Sequence, residues 1–318
     1  MPSPLATIAL LLALLAAPIV GAQTITLPPP MTAPTPPATV PSTQIISGGG
    51  GIPAAPSGKP LTTATQAGKS IDYLNNGVPI KAYLVAPEGP GPFPAIIVAH
   101  DIFGLNPWIK KQADQLATQG YVVIVPDLNT RQNLAEPLAD ARTAWLAYDK
   151  MSDQQALSDL RAAVNFLVTH PTVGDKQPLA IVGYDMGGIY AMMLASIDLR
   201  IKAAVNYYGQ IIYPVQNKLR PISPVEILFN LRAPLLSFYG DIDPQNPPDH
   251  LARLQSRLEH NPNNTHFTII TYPNVGHGFL VESRLGYNAQ ATQDAQDKTR
   301  DFLAKFLRVK PVTAKAGD

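Results

Sequence analysis

The 318-residue sequence has no cysteine, which excludes disulfides, thiolate metal sites and a thiol nucleophile, and leaves the redox compartment unreadable from thiols. A cysteine-linked lipid anchor is excluded too. Net charge is nearly absent: 24 Lys and Arg against 23 Asp and Glu leave +1. No nucleic-acid or acidic-surface partner is implied by that balance. No charged side chain precedes Lys59. A long hydrophobic run is missing as well. Leu5–Val20 (LATIALLLALLAAPIV) contains Pro18 and is short for a membrane span of ~20 residues.

That run has the length of a signal-peptide core, and Val20-Gly21-Ala22 supplies small residues for cleavage. No Lys or Arg precedes it, so only the α-amino group gives the leading charge. The expectation is a cleaved signal over residues 1–22 and a secreted or periplasmic protein with no span in its mature form. Residues 23–60 are rich in Pro, Thr, Ala and Gly (TLPPPMTAPTPPATVPS, then SGGGG). Such a segment buries too little apolar surface to offset ordering entropy, so it reads as a disordered linker. Residues 311–318 read as a flexible tail.

Between them, residues 61–310 read as one α/β domain. The whole chain is 46% apolar and 15% charged, which are globular proportions. Two β runs flank Asn75-Asn76-Gly77 within 71–87, a hairpin signal. Short apolar runs at 93–101, 121–127, 178–184, 201–209, 233–240 and 266–273 read as further strands. Helical spacing occupies 106–120, 135–149, 153–169, 248–260 and 289–307, the first with Asn106 as N-cap and Pro107 behind it. Alternation of this kind implies right-handed crossovers and a mostly parallel central sheet with helices on both faces. Ligands bind such sheets beyond the carboxyl ends of the strands. The residues to inspect are therefore His100–Asp101, Asp127, Asp185, Asp241–Asp243 and His277.

One of these positions is unusual. Residues 183–187 read GYDMG, between an apolar strand and a helical run (GGIYAMMLAS). G-x-S-x-G in this setting is a nucleophile elbow, a sharp turn that lifts one side chain clear of the sheet. Here Asp185 takes the place of the serine.

Several segments resemble the dienelactone hydrolase family of α/β-hydrolases: HDIFGLN (100–106), PDLNTRQ (126–132), NYYG (206–209) and GHGF (276–279). The resemblance runs in order along 71–308 and implies the α/β-hydrolase fold without a large cap domain. It places Asp185 where the family has cysteine or serine, and Asp101 where it usually has glutamate. It selects Asp243 from Asp241, Asp243 and Asp249 as the acid that orients His277, the base. It implies that Arg131 grips a substrate carboxylate. A second family arginine, shortly after the histidine, falls on Val281, with Arg284 nearby but out of register. His100, which ends a strand beside the site, is a candidate positioning residue. The other histidines (170, 250, 260 and 266) read as solvated. Backbone N–H groups of Ile102 and Met186 are the expected oxyanion donors.

Three readings of Asp185 stay open. Attack on an ester carbonyl would create two unequal leaving groups, a carboxylate of pKa ~4 and an alkoxide of ~15. Collapse backwards is then favoured by on the order of 15 kcal/mol. Attack at saturated carbon escapes that objection, and GYDMGG is similar to the GHDWGG elbow of aspartate-nucleophile epoxide hydrolases and haloalkane dehalogenases, although their halide-binding tryptophan is Met186 here. Alternatively Asp185 is a base or orienting group, with Asp101, Asp185 and Asp243 holding His277 as imidazolium. In the third reading the site only binds a small ligand. A divalent cation among the three carboxylates lacks any supporting ligand spacing on one element. No cofactor is implied. The substrate expected is a small, anionic ester, lactone or related molecule, and the oligomeric state is unreadable.

Overall fold

In the computed structural model the described residues are 43–48, 63–134, 138, 140–174, 176–263 and 266–307. The expected signal (1–22), most of the linker and the tail (311–318) lie outside them. Among the described residues no helix is long and apolar enough to cross a membrane.

Six short strands stack in parallel: β4 (Ala95–Ala99), β5 (Val122–Pro126), β6 (Leu179–Tyr184), β7 (Ile201–Tyr207), β8 (Leu235–Gly240) and β9 (Phe267–Tyr272). Every residue of β4, β5, β6, β8 and β9 is buried, as continuous Val/Ile/Leu runs demand of strands covered on both faces. At one edge, β2 (Lys69–Asn75) and β3 (Val78–Val85) form the expected hairpin and join antiparallel to β5. Its two-residue loop has Asn76 at φ 50° and Gly77 at φ 79°, the left-handed pair such loops require.

The opposite edge departs from expectation. Gln44–Gly48 forms β1, paired antiparallel with β9 from Gln44 opposite Thr271 to Gly48 opposite Phe267. The disordered linker read over 23–60 therefore does not hold at 44–48. The physical reason is local: Ile45 and Ile46 are β-branched, no proline interrupts them, and β9 otherwise presents an unpaired row of backbone groups. Ile46 also packs against the core. The sheet order is β1-β9-β8-β7-β6-β4-β5-β3-β2.

The helices are α1 (Pro107–Thr118), α2 (Ala141–Lys150), α3 (Asp153–Thr169), α4 (Met186–Ile197), the one-turn α5 (Pro224–Ile227), α6 (Pro248–Glu259) and α7 (Ala289–Leu307). Asn106 caps α1 by accepting from the Ile109 N–H at 3.0 Å. The helix expected from 135 begins instead at 141, because Asp140 is its cap and accepts from the Thr143 N–H at 2.8 Å. α4 is buried along almost its whole length and carries no amphipathic stripe, which marks it as a core helix. Between β7 and β8 lie only α5 and a single 3-10 turn (Leu228–Asn230), so among the described residues no cap domain covers the strand ends.

Candidate active site

The turn between β6 and α4 is the sharpest feature of the backbone. Asp185 sits at φ 54°, ψ −115°, a conformation that costs a non-glycine residue on the order of 1–3 kcal/mol. The flanking glycines explain how it is tolerated. A Cβ on Gly183 would lie 2.0 Å from the Gly187 carbonyl oxygen, and one on Gly187 would lie 2.0 Å from that of Ala99. Strand, turn and helix thus close onto each other and onto the end of β4. The carboxylate of Asp185 is lifted out of the sheet, and its side chain is 11% exposed.

His277 lies in the loop after β9, as expected. Its Nε2 is 3.1 Å from Asp185 Oδ1 and its Nδ1 is 3.0 Å from Asp243 Oδ2. Both partners are carboxylates, which only accept, so both ring nitrogens must donate and the ring is an imidazolium. Burial opposes the charge, but the hydrogen bonds and charges of Asp185 and Asp243 outweigh it and push the His277 pKa from 6.5 up to about 10. Burial likewise raises Asp185, yet it is held below the usual carboxylate range by His277, Arg284 and the Met186 N–H. Asp243 is fixed in turn: Oδ1 accepts from the Gln245 N–H at 2.9 Å and Oδ2 from Asn246 Nδ2 at 3.2 Å. The Tyr208 ring meets the imidazole edge-on at 5.0 Å.

The remaining residues named from sequence divide. Asp101 is buried after β4, accepting from the Phe103 N–H at 3.0 Å and pairing with Arg284. Burial pushes its pKa up against the pull of Arg284, and Asp185 adds to the rise. His100 is sealed from solvent, with Nδ1 2.6 Å from the Asp101 carbonyl and Nε2 accepting from the Leu128 N–H at 3.0 Å. With both nitrogens engaged, it ties the loops after β4 and β5 together. The Ile102 N–H has no acceptor among the described residues, and the Met186 N–H lies close enough to the Asp185 carboxylate to help lower its pKa.

Arg131 requires a correction. Its guanidinium is forked onto Asp159 of α3, Nε at 3.1 Å and an Nη at 2.9 Å, so it is not the free anion grip that the resemblance implied. A partner 28 residues away on another element left no sequence signal. Arg284 is the cation the sequence underrated: its charge reaches Asp185, and its guanidinium stacks over Phe103 at 4.8 Å from the ring centroid. The loop 278–287 brings it back, which no fixed offset from His277 reveals.

A central, mostly parallel sheet with a strained residue at the β6–α4 turn, facing a histidine after the last strand, defines an α/β-hydrolase. Over residues 80–307 the chain matches the model of the dienelactone hydrolase family, and it belongs to that family. It is similar to a Yersinia pestis protein assigned as a carboxymethylenebutenolidase, 32% identical over 73% of this chain and 85% of that one. A Bradyrhizobium protein assigned as a 2-oxo-3-(5-oxofuran-2-ylidene)propanoate lactonase is 32% identical over 78% of this chain and 98% of its own. The crystal structure of a Klebsiella pneumoniae protein assigned as a dienelactone hydrolase superposes with a TM-score of 0.71 at 28% identity, covering 77% of this chain and all of that one. The protein is a hydrolase of this family.

Proposed function

We propose that the protein hydrolyses a small, anionic, activated lactone or ester, with Asp185 as the base on water and His277 as the acid. The observation that carries this is the pair of carboxylates at 3.1 and 3.0 Å on the two nitrogens of His277. An imidazolium cannot take a proton from water at neutral pH, so the base role read for His277 passes to Asp185. Water attacks the carbonyl carbon and gives its proton to Asp185. The carbonyl oxygen, negatively charged in the intermediate, takes the N–H groups of Ile102 and Met186 once water has drawn the carboxylate aside. The ring or ester C–O bond then breaks, and His277 protonates the departing oxygen. Transfer of the Asp185 proton to His277 restores the starting state.

Asp185 is a weak base, which limits the substrate. The leaving oxygen has to depart readily, as an enol oxygen does, with a phenol-like pKa of ~10. Once the proton taken from water neutralises Asp185, the His277 pKa falls toward its ordinary range, which makes the imidazolium a ready donor to such an oxygen. The Bradyrhizobium relative is assigned to such an enol lactone. Both Arg131 and Arg284 are ion-paired, but only the charge of Arg284 reaches Asp185, so Arg284 is the group that would hold the substrate's carboxylate, exchanging Asp101 for it.

The test is turnover of enol lactones and aryl esters by wild type, Asp185→Asn and His277→Gln. Losses of roughly 100- to 10,000-fold in kcat are expected in both variants, the usual worth of general acid–base catalysis. A single turnover in water labelled with heavy oxygen should place the label in product and none in Asp185. Undiminished activity in either variant would remove the proposal.

A second reading has one specific observation behind it. If Asp185 attacked saturated carbon, the ester formed would cancel one of the two charges that raise His277. The imidazole would then drop toward its ordinary range and become a base for hydrolysing the ester. Intact mass of His277→Gln after mixing with epoxides or haloacids distinguishes the two: an adduct on Asp185 supports this reading, and an unmodified mass supports the first.

A further inference from the structure

One buried polar group beside His277 takes no part in the chemistry above. The Tyr208 hydroxyl is sealed from solvent, on a residue 1% exposed, and it has no hydrogen-bond partner among the described residues. The backbone that places it is strained, at φ 45°, in the left-handed region that an aromatic residue seldom enters. Main-chain bonds hold it there. The Tyr208 N–H donates to the Phe238 carbonyl at 2.8 Å, and the Tyr208 carbonyl accepts from Asn246 Nδ2 at 3.4 Å. A phenylalanine would fill the same space without stranding a hydroxyl, so packing alone does not account for a tyrosine.

Its surroundings show what the hydroxyl faces. The Tyr208 ring stands edge-on to His277 at 5.0 Å and to Phe279 at 5.4 Å, the two neighbours of Gly278. Arg284 packs on Gly278 itself: a Cβ there would lie 3.3 Å from its Cδ and Nη1. Burial keeps the phenol protonated, and the charges that act on it are, in order, Arg284, Asp101 and Asp185. A guanidinium donates and never accepts, so Arg284 cannot take the hydroxyl proton. The carboxylate that could take it is occupied. Oδ1 of Asp101 accepts from the Phe103 N–H at 3.0 Å and from Asn106 Nδ2 at 3.3 Å, and Oδ2 is held by Arg284.

Departure of the guanidinium changes both groups at once. Oδ2 of Asp101, on a residue 2% exposed, loses its partner, and the hydroxyl loses the cation that stands between it and an acceptor. Removing one member of a buried ion pair is strongly unfavourable unless another donor replaces it. We propose that Tyr208 is a positioning residue that receives Asp101 when Arg284 turns to the substrate, its hydroxyl donating to Oδ2 of the released carboxylate. One donor then replaces another, and substrate binding leaves no bare buried charge. The exchange rests on the anion-holding role given to Arg284 above, whereas the contact between Tyr208 and Asp101 is testable without substrate.

The experiment is thermal melting of the full chain as wild type, Tyr208→Phe, Arg284→Met and the double variant. Arg284→Met removes the guanidinium permanently, so Asp101 should already rest on the Tyr208 hydroxyl. Adding Tyr208→Phe is expected to lower the melting temperature of Arg284→Met by about 3 °C or more, the worth of one hydrogen bond to a charged group in a domain of this size. In wild type the same change removes an unpaired hydroxyl and should not lower it. Alongside, the ratio of kcat/KM between a carboxylate-bearing enol lactone and its methyl ester should fall at least tenfold in Tyr208→Phe, through KM. Equal melting effects in the two backgrounds would overturn the proposal. So would an unchanged ratio, a comparison that stands even if Arg284→Met fails to fold. Unequal melting effects with no preference for the carboxylate in wild type would uphold the Tyr208–Asp101 contact and overturn the role of Arg284.

Discussion

At the scale of single residues, the site turns on where protons reside. His277 carries its proton because two carboxylates bracket it, and that has a consequence for stability. Its pKa rises from 6.5 unfolded to about 10 folded, so its contribution is complete below pH ~6.5 and is lost as pH climbs toward ~10. Thermal melts should therefore show wild type losing stability across that window, with His277→Gln nearly flat there. A wild-type profile as flat as the variant's would contradict the bracketed imidazolium. Asp185 and His277 stand out in the sequence because glycines and strand ends mark them, whereas Asp243 is singled out from Asp241 and Asp249 only by the resemblance to the family. Arg284 and the Arg131–Asp159 pair were not legible, since a side chain's partner is chosen by folding and not by spacing.

At the scale of elements, the β6–α4 turn is held by contact rather than by its own preference. The missing Cβ atoms of Gly183 and Gly187 let helix, strand and the β4 loop meet, with no flexible side chain at either contact to give way. Gly187→Ala should thus destabilise the fold by about 1–3 kcal/mol or more, read as a lowered urea midpoint, and also reduce turnover. Gly174→Ala is a useful contrast: nothing lies within 4 Å of its added Cβ, and only its φ of 76° would be strained. If Gly187→Ala proved no worse than Gly174→Ala, the close packing of the turn would be in doubt. The alternation of strands and helices was readable because buried parallel strands are short and uniformly apolar. Helix starts were readable wherever a side-chain cap was recognised, as at Asn106, and missed where it was not, as at Asp140.

At the scale of the whole molecule, the sheet's two edges are managed differently. The β2–β3 hairpin closes one edge from within the domain, whereas β1 is lent by the segment before it and covers β9. Proline-rich composition hid this strand, because five residues of β propensity weigh little in a window of prolines and glycines. A chain lacking residues 1–48 should keep its fold and aggregate more readily, through the unpaired edge of β9, as light scattering would show. No increase in scattering would mean that β1 is dispensable as an edge guard. The composition of residues 1–22 further predicts that protein recovered after export begins at Gln23, which N-terminal sequencing or intact mass decides; a retained Met1 would contradict the signal.

The most direct measurement is the titration of His277 by nitrogen-15 NMR in wild type and in Asp185→Asn. The ring should stay doubly protonated through neutrality in wild type and lose its proton only near pH ~10, with a clear downward shift in the variant. A neutral wild-type imidazole at pH 7, or a pKa unmoved by Asp185→Asn, would contradict the acid role of His277 and the base role of Asp185 together.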